Sequence, residues 1–407
     1  MLVKKIARRI VGWILLLSAM TAQPVSAQET PAAGAPSSPE PAVSGSTPAI
    51  QVNAKAALLM EPITGQILLS QNPHEKLPPA SVTKVMTMLL IFEAIEQGKI
   101  SWDDIVTTSE HAASMGGSQV YLESMEQQSV RDLVKSVVIA SGNDAAVAMA
   151  EFIAGSEDAF VTMMNNRAKE LDMNDTHFIN ACGLDTPGHL TSAYDIAVMT
   201  RELIVKHPSV FNYSKIWMDK IEHKTARGIQ DFGLSNTNRL LKSYPAATGL
   251  KTGSTSEALY CISATALKNG LQLNAVILGA PDPNTRFGEA IKMMDYGYAN
   301  YAMASGDAVD TIAGEIAVVK GNLQKVNVKI RNQVSALIPK GKSVELERKV
   351  ELLNAVPAPF KANTKAGVAI YFHEGKEVGR SDLVTVEDAA RAALSDIMGR
   401  VLVRWFK

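Results

Sequence analysis

The chain has 407 residues, 46% of them hydrophobic and 20% charged, with 40 basic against 41 acidic side chains and two cysteines. At roughly 150 residues per domain this length predicts two or three domains, and the composition excludes a wholly disordered, collagenous or polytopic membrane chain. A net charge of −1 gives no electrostatic ground for a nucleic-acid partner, and two cysteines exclude both a disulfide-dense scaffold and an all-cysteine zinc site.

Lys4, Lys5, Arg8 and Arg9 precede an apolar run that fades by Ala22, and Val25-Ser26-Ala27 offers small residues for cleavage. The run is shorter than the roughly 20 residues a bilayer span needs, so 1–27 is expected to be an export signal. Residues 28–50, with Pro31, Pro36, Pro39, Pro41 and Pro48, read as a disordered tether.

Ala56 to Gln71 reads as a hairpin turning at Glu61-Pro62-Ile63-Thr64-Gly65. A helix is expected from Ser81 to Gln97, stopped by Gly98. It is apolar on nearly all sides and so belongs at a domain centre. Ser129 to Asp132 resembles a capping box opening a helix to about Ala140. Ser141-Gly142 interrupts, and Asn143-Asp144 opens another helix to Gly155. Phe160, Met164, Ala168 and Leu171 share one face of a helix ending near Glu170. Asn269-Gly270 joins two strands, Leu259 to Lys268 and Leu271 to Ala280, and a helix follows from near Thr285 past Met294. Residues 51–304 thus mix an antiparallel sheet with many helices.

Beyond Ser305-Gly306 short β-type runs follow one another: Ile316–Val319, Val326–Ile330, Val334–Ile338, Val344–Leu353, Val368–Phe372 and Leu383–Val386. Residues 305–385 are expected to form a small all-β domain. Residues 386–407 carry Ala390, Leu394, Ile397, Met398, Val401, Leu402, Trp405 and Phe406 at helical spacing, with basic residues near the aromatic tip. An amphipathic helix lying in a membrane interface is expected there.

Three short motifs carry the chemistry. Ser81-Val82-Thr83-Lys84 puts a hydroxyl and an amine on one helix face, at a helix N-terminus. A serine hydroxyl needs a base to become nucleophilic, and a lysine serves if burial lowers its pKa. Ser141-Gly142-Asn143, between two helices, can present a second hydroxyl and an amide. Lys251-Thr252-Gly253, at the start of the strand pair, offers a cation and a hydroxyl for a carboxylate, and a glycine that lets a substrate backbone approach.

In this order the three motifs are the signature of the serine penicillin-recognising enzymes. Over nearly all its length the chain resembles the low-molecular-mass penicillin-binding proteins that are D-alanyl-D-alanine carboxypeptidases. Pro79 to Lys84, Ser141 to Ala146, Phe178 to Leu184 and Thr248 to Gly253 carry the resemblance. It implies an α+β, β-lactamase/transpeptidase-like catalytic domain with an antiparallel sheet and a helical cluster. The activity it implies is removal of the terminal D-Ala from peptidoglycan pentapeptide stems through an acyl-enzyme, with β-lactams acylating the same serine. Ser81 would be the nucleophile, Lys84 the base, and Ser141 a proton relay to the leaving amine. Asn143 would hold the substrate amide. Lys251 and Thr252 would bind the terminal carboxylate, with Gly253 beside them. The backbone N–H groups of Ser81 and Ser254 would form the oxyanion hole; family members often carry His or Thr where Ser254 stands. Arg286 falls where members direct an arginine at the carboxylate. No cofactor or metal is implied. The expected location is the outer face of the bacterial cytoplasmic membrane, held there through the terminal helix.

Other residues receive blander readings. His189 and Asp195 lack a third metal ligand and are expected to be solvated or capping. Cys182 and Cys261 could pair in an oxidising compartment, but the sequence does not give their separation, and buried free thiols are the expected state. Glu170-Leu171-Asp172-Met173-Asn174 has the spacing of a β-lactamase deacylation motif, but Glu170 reads as a surface residue ending a helix. The alternatives to a carboxypeptidase are a D,D-endopeptidase and a β-lactam sensor or envelope scaffold without turnover. The intact motifs, and a chain with no segment suited to cytoplasmic signalling, argue against a sensor.

Overall fold

The computed structural model describes residues 50–225 and 228–405. The expected export signal and all but Ile50 of the expected tether lie outside the described residues.

A five-stranded antiparallel sheet organises the first part of the chain. Its order is Gln66–Gln71, Ala56–Glu61, Leu271–Ala280, Leu259–Lys268, Ala247–Thr255. Strand periodicity sends alternate side chains to opposite faces, and here both faces are covered. Ala56, Leu58 and Met60 enter a core of helices, whereas Ala57 and Leu59 enter the core under helix Pro283–Asn300. That is why all six residues of Ala56–Glu61 are buried. The Asn269-Gly270 turn has φ 51° and 78°, the left-handed pair that matches strand twist in a two-residue hairpin.

Helix Lys84–Glu96 runs through the middle of the helical cluster, with Val85, Met86 and Leu89 fully buried. The expected helical start at Ser81 needs a correction. Ala80–Thr83 form a 3₁₀ turn and the α-helix begins at Lys84. Helices Val130–Val138, Asn143–Ala154 and Glu157–Glu170 follow as expected, and Gly155 closes Asn143–Ala154 at φ 85°. Lys251-Thr252-Gly253 also needs one: it does not begin the strand pair but lies inside its own nine-residue edge strand, Ala247–Thr255, paired with Leu259–Lys268. Lysine, threonine and glycine interrupt the apolar pattern there and hide the strand. Among the elements with no counterpart in the sequence reading are helix Ala193–Lys206, capped by Ser192, and the hairpin Met218–Thr225 with Gly228–Ser235.

The C-terminal part is all-β. A sheet of order Glu347–Leu352, Lys365–His373, Lys376–Thr385, Lys325–Ile330, Ile312–Val319, Val356–Pro357 surrounds its own core. Strand Tyr301–Ser305, at the end of helix Pro283–Asn300, pairs antiparallel with Ser335–Pro339 and couples the two parts. Tyr371 Oη donates to Asp307 at 2.8 Å, and Gly306 lies beneath its ring, where a Cβ would stand 2.6 Å from it.

The terminal helix starts later than the expected 386, spanning Leu394–Trp405, and residues 406–407 lie outside the described residues. The backbone before it finds partners in the β-domain instead: Ala389 bridges Phe360, Asn322 N–H donates to Ala390 O, and Ala392 N–H donates to Lys320 O. Leu394, Ile397, Met398 and Trp405 are exposed, Trp405 by 86%. Among the described residues no helix is long and apolar enough to cross a membrane.

The docked segment is testable. Ala389 is 1% exposed and Ala393 is exposed. Ala389→Glu should destabilise the protein by about 3 kcal/mol by burying an unpaired charge, while Ala393→Glu stays within about 0.5 kcal/mol. Urea denaturation followed by circular dichroism measures both. Equal, small effects would mean that 386–393 is not docked.

Candidate active site

Pro79 leads into the 3₁₀ turn that carries Ser81, and Ala80 there adopts φ 48°. Gly183 permits this turn, since a Cβ on it would collide with Ala80 O. Lys84 follows at i+3 and is wholly buried. Its Nζ reaches Ser81 Oγ at 3.0 Å, Asn143 Oδ1 at 2.6 Å and Cys182 O at 2.8 Å. A charged amine fills all three positions with N–H donors. A neutral amine has two donors and one lone pair. The amide and backbone oxygens can only accept, so both remaining N–H groups go to them. Only the serine bond can reverse, Ser81 then donating its O–H to the lone pair. Burial lowers the Lys84 pKa to about 8, with Cys182 and Asp144 opposing in part. About a tenth of the side chain is therefore neutral at pH 7.

Ser141 is buried at φ 62°, a strained conformation for a residue with a side chain. Asn143 begins the following helix. Its N–H donates to Ser118 O at 2.7 Å and its Nδ2 to Gly116 O at 2.6 Å. Gly117 has no room for a side chain, because a Cβ would stand 2.8 Å from Asn143 Nδ2. Asp144 accepts from Val120 N at 3.0 Å and Leu122 N at 3.1 Å. The loop 116–122 is thereby fastened to the helix start that orients Lys84.

The edge strand supplies the third wall. Lys251 is 1% exposed and donates to Ser141 Oγ at 2.8 Å and Thr252 O at 2.9 Å. Burial pulls its pKa well below the usual lysine range, and the charges of Lys84 and Arg286 add to this. Thr252 Oγ1 lies 2.6 Å from Thr237 Oγ1. A Cβ on Gly253 would stand 2.8 Å from Ser81 N, so a glycine is what lets this strand pass the nucleophile turn. Ser254, next along the strand, is exposed. Arg286 donates through Nη1 to Gly253 O at 3.0 Å and Cys261 O at 3.3 Å, its guanidinium 4.6 Å from the centre of the Phe287 ring. Burial lowers its pKa to about 10.

Ser81, Lys84, Ser141, Asn143, Lys251, Thr252 and Gly253 therefore meet at one place, and Arg286 backs the strand. The arrangement offers a hydroxyl with an adjacent desolvated amine, a second hydroxyl bonded to a buried lysine, and a cationic strand edge. Sequence reasoning missed Thr237 and the carbonyls of Cys182 and Gly116. A backbone acceptor leaves no residue-type signature, and Thr237 lies in a turn with no motif of its own.

Cys182 and Cys261 are both free and buried. Glu170 ends helix Glu157–Glu170 and accepts from Arg167 at 3.0 Å with a 65% exposed side chain. Asp195 accepts from Asp175 N and Thr176 Oγ1, and Ser192 caps its N–H. The expectation that His189 is solvated or capping needs a correction: it is 3% exposed and hydrogen-bonded at both ring nitrogens, because the loop 178–190 folds over it.

Residues 42–282 match the D-alanyl-D-alanine carboxypeptidase family, peptidase S11, and residues 303–391 match the C-terminal domain of penicillin-binding protein 5. The chain is 39% identical over 355 residues to the D-alanyl-D-alanine carboxypeptidase DacF of Bacillus subtilis, covering 87% of this chain and 90% of that one. It is 33% identical to DacD of Escherichia coli over 84% of this chain and 89% of the relative. Among solved structures, penicillin-binding protein 5 of Haemophilus influenzae aligns with TM-score 0.67 and 31% identity, covering 85% of this chain and all of that one. Penicillin-binding protein 6B of Escherichia coli aligns with TM-score 0.63 and 32% identity over 84% of this chain and 98% of its own. The family model covers more than half of the chain, and the chain belongs to the D-alanyl-D-alanine carboxypeptidase family of serine peptidases.

Proposed function

We propose that this protein removes the terminal D-Ala from peptidoglycan pentapeptide stems through an acyl-enzyme on Ser81. The observation that carries the reading is the 3.0 Å contact between Ser81 Oγ and the buried Lys84 Nζ. Neutral Lys84 takes the hydroxyl proton as Ser81 Oγ bonds to the carbonyl carbon of the penultimate D-Ala. The N–H groups of Ser81 and Ser254 hold the oxyanion. The C–N bond then breaks. The proton that Lys84 took passes through the Ser141 hydroxyl to the leaving amine, which returns Lys84 to its neutral form and leaves the stem as an ester on Ser81. Water attacks the ester, returns a proton to Ser81 and frees the shortened stem. Lys251 and the Thr252 hydroxyl receive the terminal carboxylate, whose charge holds Lys251 protonated, while Arg286 adds positive potential from behind the strand. Asn143 holds both the substrate amide and Lys84. A β-lactam presents a carbonyl and a carboxylate to the same groups and acylates the same oxygen.

The domain division follows the same reading: an export signal at 1–27, a tether at 28–50, a catalytic domain at 51–304 and a β-domain at 305–385. The exposed side chains of Leu394, Ile397, Met398 and Trp405 support anchoring at the outer face of the cytoplasmic membrane, which the docked segment 386–393 would hold beside the β-domain.

Mature protein mixed with diacetyl-Lys-D-Ala-D-Ala should release D-Ala, and Ser81→Ala should reduce release at least about 10³-fold. Equal release by both would remove Ser81 from the mechanism. Deleting 394–407 should free the protein from vesicles of anionic lipid while leaving peptide hydrolysis within about twofold, since the helix lies outside the acylation chemistry. Undiminished sedimentation with the vesicles would contradict the anchor.

A further inference from the structure

The loop that supplies Cys182 O to Lys84 also carries a buried imidazole that the chemistry above does not use. Ile179 N–H donates to His189 Nδ1 at 3.0 Å, and His189 Nε2 lies 2.8 Å from Thr83 Oγ1. A neutral imidazole has one N–H and one lone pair. A backbone N–H can only donate, so the lone pair sits on Nδ1 and the proton on Nε2, aimed at Thr83. Burial lowers the His189 pKa to about 4, with His177 adding to this, so the ring stays neutral near pH 7. Its position is fixed as well. His189 N–H donates to Thr186 O at 2.9 Å, and the ring meets Phe178 edge to face at 5.8 Å.

Thr83 is fully buried and closes the 3₁₀ turn Ala80–Thr83, two residues after Ser81 and one before Lys84. The turn needs a brace from outside. Pro79 gives it no side-chain cap, and Ala80 at φ 48° carries strain of order 1 kcal/mol or more. The same loop accepts from Thr87 Oγ1 through Ala181 O at 2.6 Å and from Lys84 Nζ through Cys182 O at 2.8 Å. One segment thus grips the start of the helix at three side chains, and of the three the His189–Thr83 bond is the one made to the 3₁₀ turn itself.

We infer that His189 is a positioning residue: its Nε2–H, bonded to Thr83 Oγ1, fixes the 3₁₀ turn so that Ser81 Oγ stays within proton-transfer reach of Lys84. This rests on Ser81 being the acylated residue. Loss of the bond lets the strained turn relax, and a displacement of about 1 Å between reacting groups can cost about 10²-fold in rate.

The test measures acylation by a fluorescent penicillin in stopped flow, separating its dissociation constant from the acylation rate constant. Mature wild type is compared with Thr83→Val, Thr83→Ser, His189→Phe and the double variant Thr83→Val/His189→Phe, with Ser81→Ala in parallel. Thr83→Val and His189→Phe should each lower the acylation rate constant by about tenfold to 10²-fold, with the dissociation constant within about threefold. Thr83→Ser keeps the acceptor and should stay within about threefold of wild type. The double variant should be no slower than the slower single one, because both remove the same bond. Unchanged acylation in folded Thr83→Val, or a loss confined to the dissociation constant, would overturn the inference. Thr83→Val keeps the side-chain shape and decides the matter even if His189→Phe does not fold. Absence of label on wild-type Ser81 would instead bring down the functional reading beneath it.

Discussion

The site depends on one constraint: an amine with three hydrogen-bond positions is held where water does not reach it, and two of its three partners can only accept. Lys84 Nζ meets Asn143 Oδ1, Cys182 O and Ser81 Oγ. Burial makes the neutral amine accessible near physiological pH, and the two fixed acceptors leave its lone pair a single direction, toward the serine. A lysine free in water would be charged, and an unrestrained neutral one would have no preferred target. Desolvation and orientation therefore arrive together, from the same packing.

Three separate stretches meet this constraint. Helix Lys84–Glu96 is apolar on nearly all sides, which drives it to the centre of the helical cluster and takes Lys84 with it. The start of helix Asn143–Ala154 brings the amide, tied back to Gly116 and Ser118. The loop after helix Glu157–Glu170 brings the carbonyl of Cys182. On the far side, the edge strand passes so close to Ser81 that only glycine fits at 253. From the same strand Lys251 Nζ donates to Ser141 Oγ at 2.8 Å. Burial lowers the proton affinity of Lys251, and the charge of Lys84 adds to this.

Much of this is legible in the sequence, and what is not has identifiable causes. The three motifs declare their chemistry because side-chain types and spacing are what chemistry selects. The Asn269-Gly270 hairpin and the helix from Asn143 to Gly155 declare themselves through turn residues and caps. Strand Ala247–Thr255 does not, because its site residues replace the apolar alternation a strand normally carries. The hairpin Met218–Thr225 with Gly228–Ser235 is largely exposed and has little apolar pattern to find. His189 reads as a polar residue in a polar stretch, and burial by a folded-over loop is a tertiary fact. The terminal helix begins at Leu394, although the apolar spacing starts earlier, because Ala389 and its neighbours pair with the β-domain instead.

The most direct measurement is the pKa of the Lys84 amine itself. Mature protein with isotope-labelled lysine, compared with Lys84→Arg to assign the resonance, is titrated by NMR from neutral to alkaline pH. The Lys84 midpoint should fall near 8, with the rate of penicillin acylation rising about tenfold per pH unit below it. A Lys84 midpoint at the ordinary value of 10.5, with acylation already at its plateau near pH 7, would contradict this and require another base for Ser81.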